Sequence, residues 1–186
     1  SINNLGMLLR QMGQLEEAKA LFEEALKAQR ETLGDRSPST LSSINNLATL
    51  LETMGQLEKA KPLHEEVLQE QRKTLGDCHP DTLLSINNLG SLLLAVSQLQ
   101  EARPLLEEAL KAQRETLGDC HKDTLISISN LGLLLMEMGQ LQEAKPLLEE
   151  ALQTKRETLG DRHPDTLLSI NNMGTLLMNI GQLEEA

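Results

Sequence analysis

The sequence predicts an all-α solenoid of antiparallel helix pairs, and three observations carry that expectation. Ile2, Ile44, Ile86, Ile128 and Ile170 stand 42 residues apart, and almost every other position repeats with them. Within each unit the apolar residues recur at i, i+3 and i+4, the spacing of a helix with one buried stripe. Glycine and proline fall at fixed places that cut each unit into two helices. A period of this length means stacked copies of one supersecondary unit, each contacting its neighbours, so residues 1–186 read as one array of about 4.4 repeats, partial at both ends.

The elements follow in order, most clearly from Pro80 onward. Pro80 suits the first turn of a helix, where its missing N–H would have no partner, and Asp81 complements the positive end of the dipole. Helix A starts there, with Ile86, Leu89, Gly90, Leu93 and Val96 as its inward stripe. It ends near Ser97, where the other copies have Gly13, Gly55, Gly139 and Gly181 at a place suited to a left-handed cap. Helix B then runs from Leu99 to Leu117, burying Leu99, Ala102, Leu105, Leu106, Ala109, Leu110 and Gln113, and stops at Gly118, which recurs as Gly34, Gly76 and Gly160. Pro62, Pro104 and Pro146 lie about one turn inside helix B, where the cost is a bend or one hydrogen bond. The mid-helix glycines Gly6, Gly90, Gly132 and Gly174, with Ala48 in the second copy, imply close helix–helix approach, with Ala18, Ala60, Ala102 and Ala144 as the matching small surface.

Composition excludes several function classes. A formal charge of −11 repels a phosphate backbone, and one Phe with no Trp or Tyr leaves no platform for stacking bases, so nucleic acid is not an expected partner. No apolar run approaches the roughly 20 residues that span a bilayer, so no membrane partner is expected. Cys78 and Cys120 hold equivalent places in successive copies, about 16–20 Å apart if neighbouring helices are about 8–10 Å apart, too far to bridge. Free thiols fit a reducing, cytoplasmic setting.

Asn4-Leu5-Gly6, Gly13, Ala18, Phe22 and Ala25-Leu26 together resemble the tetratricopeptide repeat. The added stretch Thr-Leu-Gly-Asp-x-His-Pro-Asp-Thr, at residues 158–166, lengthens each unit and is similar to the 42-residue repeats of kinesin light chains. The resemblance covers the whole chain and implies a right-handed superhelical solenoid in which helix A lines a concave groove. Two places depart from it. Ile2, Leu9 and their equivalents, with Phe22, His64, Leu106 and Leu148, fill positions that are aromatic in the family, and helix B runs on through Arg30, Arg72, Arg114 and Arg156. Those arginines are expected to pair with acids across repeat boundaries.

On a helical wheel with Ile44, Leu47, Ala48 and Leu51 inward, Asn46 falls opposite, beside Thr49. The ladder Asn4, Asn46, Asn88, Asn130 and Asn172 is thus the candidate groove floor, with Thr49 and Ser91 beside it. A carboxamide both donates and accepts, so it suits the N–H and C=O of an extended peptide; equally, it can bond within helix A or to the next repeat. Helix A carries no charge between Thr82 and Val96, and Leu84, Ile126 and Leu168 also face this side, so a neutral, partly apolar segment of a protein or peptide partner fits best. The basic residues that clamp carboxylate-ended tails in the resembled family are replaced here by Asn, Ser, Thr, Met and Leu.

His79, His121 and His163 recur beside Cys78 and Cys120, but equivalent residues of successive repeats cannot converge on one ion, so no metal or other cofactor is expected. The acidic side chains fall in a repeating solvent-facing pattern with no nucleophile beside a base, which predicts a non-enzymatic protein. Ser1 begins inside helix A and Ala186 stops four residues into helix B, leaving Leu167, Ile170, Met173, Leu177 and Ile180 with no full helix B after them. Self-association, end to end or by exchange of terminal helices, is therefore the second expectation.

Overall fold

A computed structural model describes residues 2–184, and among the described residues all regular structure is α-helix. The helices group into two compact units, Ser1–Asp77 and Cys78–Ala186. The first contains α1 (Ile2–Gln11), α2 (Leu15–Leu33), α3 (Pro38–Thr53) and α4 (Leu57–Leu75). The second contains α5 (Pro80–Ala95), α6 (Leu99–Leu117), α7 (Lys122–Glu137), α8 (Leu141–Leu159) and α9 (Pro164–Glu184). Odd-numbered helices are copies of helix A and even-numbered ones copies of helix B. Within each unit every helix packs on the next, and each helix A also touches the following helix A, the pattern of a helical repeat solenoid.

The turns are built as the glycines require. Gly13, Gly55 and Gly139 take positive φ at the end of helix A, and Ser97 takes the same conformation at φ 59° without a glycine's freedom. Helix B ends at Gly34, Gly76, Gly118 and Gly160, with φ between 81° and 87°. In the next loop His79, His121 and His163 each cap a helix: Nδ1 accepts the backbone N–H of Asp81, Asp123 and Asp165 at 3.2 Å. That local bond accounts for the recurring histidine, and no group of three or more metal-ligating side chains occurs among the described residues. Arg30 bridges to Glu66 at 2.6 Å and Arg114 to Glu150 at 2.6 Å, each pair linking the helix B copies of consecutive repeats.

Two sequence expectations need correction. The glycines of helix A do not face alanines. A Cβ at Gly90 would stand 2.6 Å from Leu106 Cδ2, one at Gly132 2.7 Å from Leu148 Cδ2, and one at Gly6 2.8 Å from Phe22 Cε1. The missing side chain on helix A is the socket for a large one on helix B, while the alanines are separately buried. In the second copy the equivalent residues are Ala48 and His64, both buried, and His64 Nε2 meets Glu52 Oε1 at 2.5 Å. The other correction is Gly181, which does not cap a helix: α9 continues through it to Glu184. Each further residue of a helix adds a backbone hydrogen bond, and α9 takes that path through the glycine.

The socket predicts opposite outcomes at equivalent glycines. Gly90→Ala should destabilise by about 1–3 kcal/mol through overpacking against Leu106. Gly174 has no atom within 4 Å of the added methyl, so Gly174→Ala should stabilise by up to about 1 kcal/mol through helix propensity. Urea midpoints of the two variants would separate them, and shifts of the same sign would refute the socket.

Candidate functional site

The site is assembled at the interface of consecutive repeats, where three helices meet. Position 3 of the unit and its equivalents point between them. Asn3 donates to Ser43 Oγ at 2.7 Å in the first unit. In the second unit Asn87 of α5 donates to Ser127 Oγ of α7 at 2.5 Å and to Gln113 Oε1 of α6 at 3.4 Å, and Ser127 closes the triangle by donating to Gln113. All three are buried, so each must find partners inside the protein.

The next interface keeps the geometry and changes the chemistry. Ser129 of α7 replaces the asparagine and Lys155 of α8 replaces the glutamine. Lys155 Nζ donates to Ser129 Oγ at 3.1 Å and to Ser169 Oγ of α9 at 3.0 Å. Its side chain is only 7% exposed, and no ion pair to it occurs among the described residues. Burial pushes its pKa below the usual lysine value, and the negative charge of Asp165 partly opposes that shift.

A cavity of about 610 Å³ opens beside Lys155, walled by α7, α8 and the start of α9. Asn130 and Asn172 of the predicted ladder line it together with Ile126 and Leu168. Leu125, Leu133 and Leu159 add aliphatic wall, and Lys122, His163 and Asp165 stand among its lining residues. The other sequence-predicted residues lie elsewhere. Asn4 is exposed and Asn46 and Asn88 are half-buried; Thr49 spends its hydroxyl on Asn45 O of its own helix at 2.9 Å; Ser91 and Leu84 are exposed. On α9, Leu167 and Leu177 are exposed while Ile170, Met173 and Ile180 are half-buried.

Lys155 and Ser129 were not singled out from the sequence, although the signal was there. The series Gln29, Gln71, Gln113 breaks at Lys155, and the series Asn3, Asn45, Asn87 breaks at Ser129. Two departures in the same interface mark the copy that differs from the scaffold.

The buried ammonium predicts a pH dependence of stability. In the unfolded chain it titrates near 10.5, and in the folded chain lower. Between the two values the unfolded state binds more protons, so stability rises with pH across that window, while below it the burial penalty is fully present. Lys155→Gln combined with Ser129→Asn rebuilds the Asn87–Gln113 arrangement and removes this titration. Urea unfolding across alkaline pH should show the native chain gaining on the variant as pH approaches 10.5; a constant difference would refute the assignment.

Family models described as tetratricopeptide repeat match residues 1–69, 45–115 and 124–165. Comparison with curated proteins gives no match. Among solved structures, the chain is similar to a Podosopora anserina protein described as a kinesin light chain with nearly identical TPR-like repeats: 35% identity over all of this chain and 88% of that one, TM-score 0.83. A variant of that protein gives 36% identity, 87% coverage and a TM-score of 0.84. BtubC (BKLC) from P. vanneervenii shares the fold at 22% identity, covering 100% of this chain and 74% of that one, with a TM-score of 0.82. Tetratricopeptide repeats generally mediate protein–protein interaction, and the fold is generally a non-enzymatic scaffold. Repeat length, helix pairing and these matches together establish that the chain belongs to the tetratricopeptide-repeat family, with repeats of the kinesin light chain type.

Proposed function

We propose that the chain is a non-enzymatic interaction scaffold that holds an extended, largely neutral peptide segment along helix A. The observation that supports this reading is the cavity in the second unit, where Asn130 and Asn172 share walls with Ile126 and Leu168. Each carboxamide can accept from a peptide N–H and donate to a peptide C=O, while the aliphatic residues between them take alternate side chains of an extended strand. No helix among the described residues is long and apolar enough to cross a membrane.

Asn130→Ala with Asn172→Ala tests it against an array of extended neutral peptides, with helicity monitored alongside. Capture should fall about tenfold, the equivalent of roughly 1.4 kcal/mol and within reach of one or two lost hydrogen bonds. Undiminished capture by a folded variant would sink the peptide reading.

A second reading, self-association, draws on α9. Leu167 and Leu177 are 48% and 50% exposed, whereas their equivalents on α7, Leu125 and Leu135, are each 4% exposed beneath α8. A second copy could cover this face by stacking or by exchange of helices. Sedimentation over a hundredfold concentration range should show mass rising with concentration, weakened by Leu177→Asp. A constant monomer mass would exclude it.

A further inference from the structure

We infer that the cavity between α7, α8 and α9 is a binding site for a free aliphatic monocarboxylate, with Lys155 as the anchor of its carboxyl group. The inference goes beyond peptide capture: it concerns a small molecule, and it stands or falls on Lys155 and not on the asparagines.

Three observations carry it. Lys155 lies at a cavity wall with two of its three N–H donors on the hydroxyls of Ser129 and Ser169, and among the described residues no ion pair occupies the third. A buried ammonium without a counter-charge is costly, and a carboxylate entering the cavity supplies both the missing charge and the missing acceptor. The charge balance points the same way: in a chain of net charge −11 this cavity is lined by Lys122 and Lys155 against Asp165 alone, an excess matched by one negative charge.

The walls decide the rest of the ligand. Ile126, Leu133, Leu159 and Leu168 are aliphatic, no Phe, Tyr or Trp stands among the lining residues, and the imidazole of His163 is engaged by the backbone N–H of Asp165, so the fit is to an alkyl chain rather than to a planar ring. At about 610 Å³ the cavity lies within the roughly 300–1,000 Å³ range of small-molecule sites. The equivalent interface of α5, α6 and α7 holds Gln113 in place of the lysine, a neutral group whose amide oxygen is already occupied by Asn87 and Ser127. The copy-specific exchange of glutamine for lysine thus converts a closed structural contact into one with a free cationic donor.

The test uses octanoate and its neutral isostere octanamide on the full chain and on the Lys155→Gln, Ser129→Asn variant. Calorimetric titration should give one octanoate per native chain, bound at least tenfold more tightly than octanamide, and the variant should lose that preference. In parallel, octanoate should shift the NMR signal of the Lys155 ε-methylene in the native chain, a readout that does not depend on the variant folding. Equal binding of the two compounds, an unmoved Lys155 signal, or an unchanged preference in a folded variant would each overturn the inference. So would uptake of a capped glutamate peptide at Lys155 without uptake of octanoate. Loss of peptide capture in the Asn130 and Asn172 variant with octanoate binding intact would leave this site standing, and the reverse would remove it alone.

Discussion

The seating of one large helix B side chain against bare backbone on helix A is the contact on which the rest of the repeat depends. Leu106 on Gly90, Leu148 on Gly132 and Phe22 on Gly6 bring the helix axes close enough for the remaining aliphatic side chains to interdigitate. A glycine in mid-helix weakens that helix by itself, so the conformational loss is offset only because the partner side chain is buried completely. With a single Phe and no Trp or Tyr in the chain, such close approach replaces the bulk that aromatic rings would supply.

The second copy shows that the contact tolerates a different solution. There Ala48 stands in place of the glycine, His64 in place of the leucine, and the buried imidazole reaches Glu52 on helix A. Apolar seating is exchanged for a seated ring with a polar handle, and the helix pairing survives. The same substitution logic appears at the polar seat between repeats, where Asn87–Gln113–Ser127 gives way to Ser129–Lys155–Ser169. At that polar seat a residue changes together with the residue it touches, so the local geometry is kept while the chemistry alters. A glutamine can satisfy its amide within the triangle; a lysine in the same seat has one more donor than the two hydroxyls can accept, and that difference separates a structural interface from a potential recognition site.

The groove-facing asparagines illustrate how far a helical wheel can be trusted. A wheel ranks positions by angle from the core of one repeat and places the ladder of asparagines opposite it; Asn130 and Asn172 are among the residues lining the cavity of α7, α8 and α9. It cannot register the neighbouring repeat: Asn46, Asn88, Asn130 and Asn172 are half-buried, and Asn87, one residue before Asn88, is buried with its amide on Ser127 of the next helix A. The histidines before helix A present the converse case. Their recurrence is expected to exclude a shared metal site, and a bond from the backbone N–H two residues on to Nδ1 gives each a local capping role.

The sequence by itself determined the all-α repeat, its 42-residue unit, the two helices of each unit and the glycines that end them, because periodicity, helix caps and positive-φ turns are local properties written within a few residues of where they act. Only the tertiary structure decided which partner fills the glycine socket, that α9 runs through Gly181, and that Lys155 is buried beside a cavity. Those outcomes depend on side chains brought together from helices 14 to 26 residues or a whole repeat apart, as Lys155 is from Ser169 and Ser129. A lysine near the end of an acidic helix reads as solvated in sequence. Its burial follows from α7 and α9 closing over it, a fact of packing between repeats and not of pattern within one.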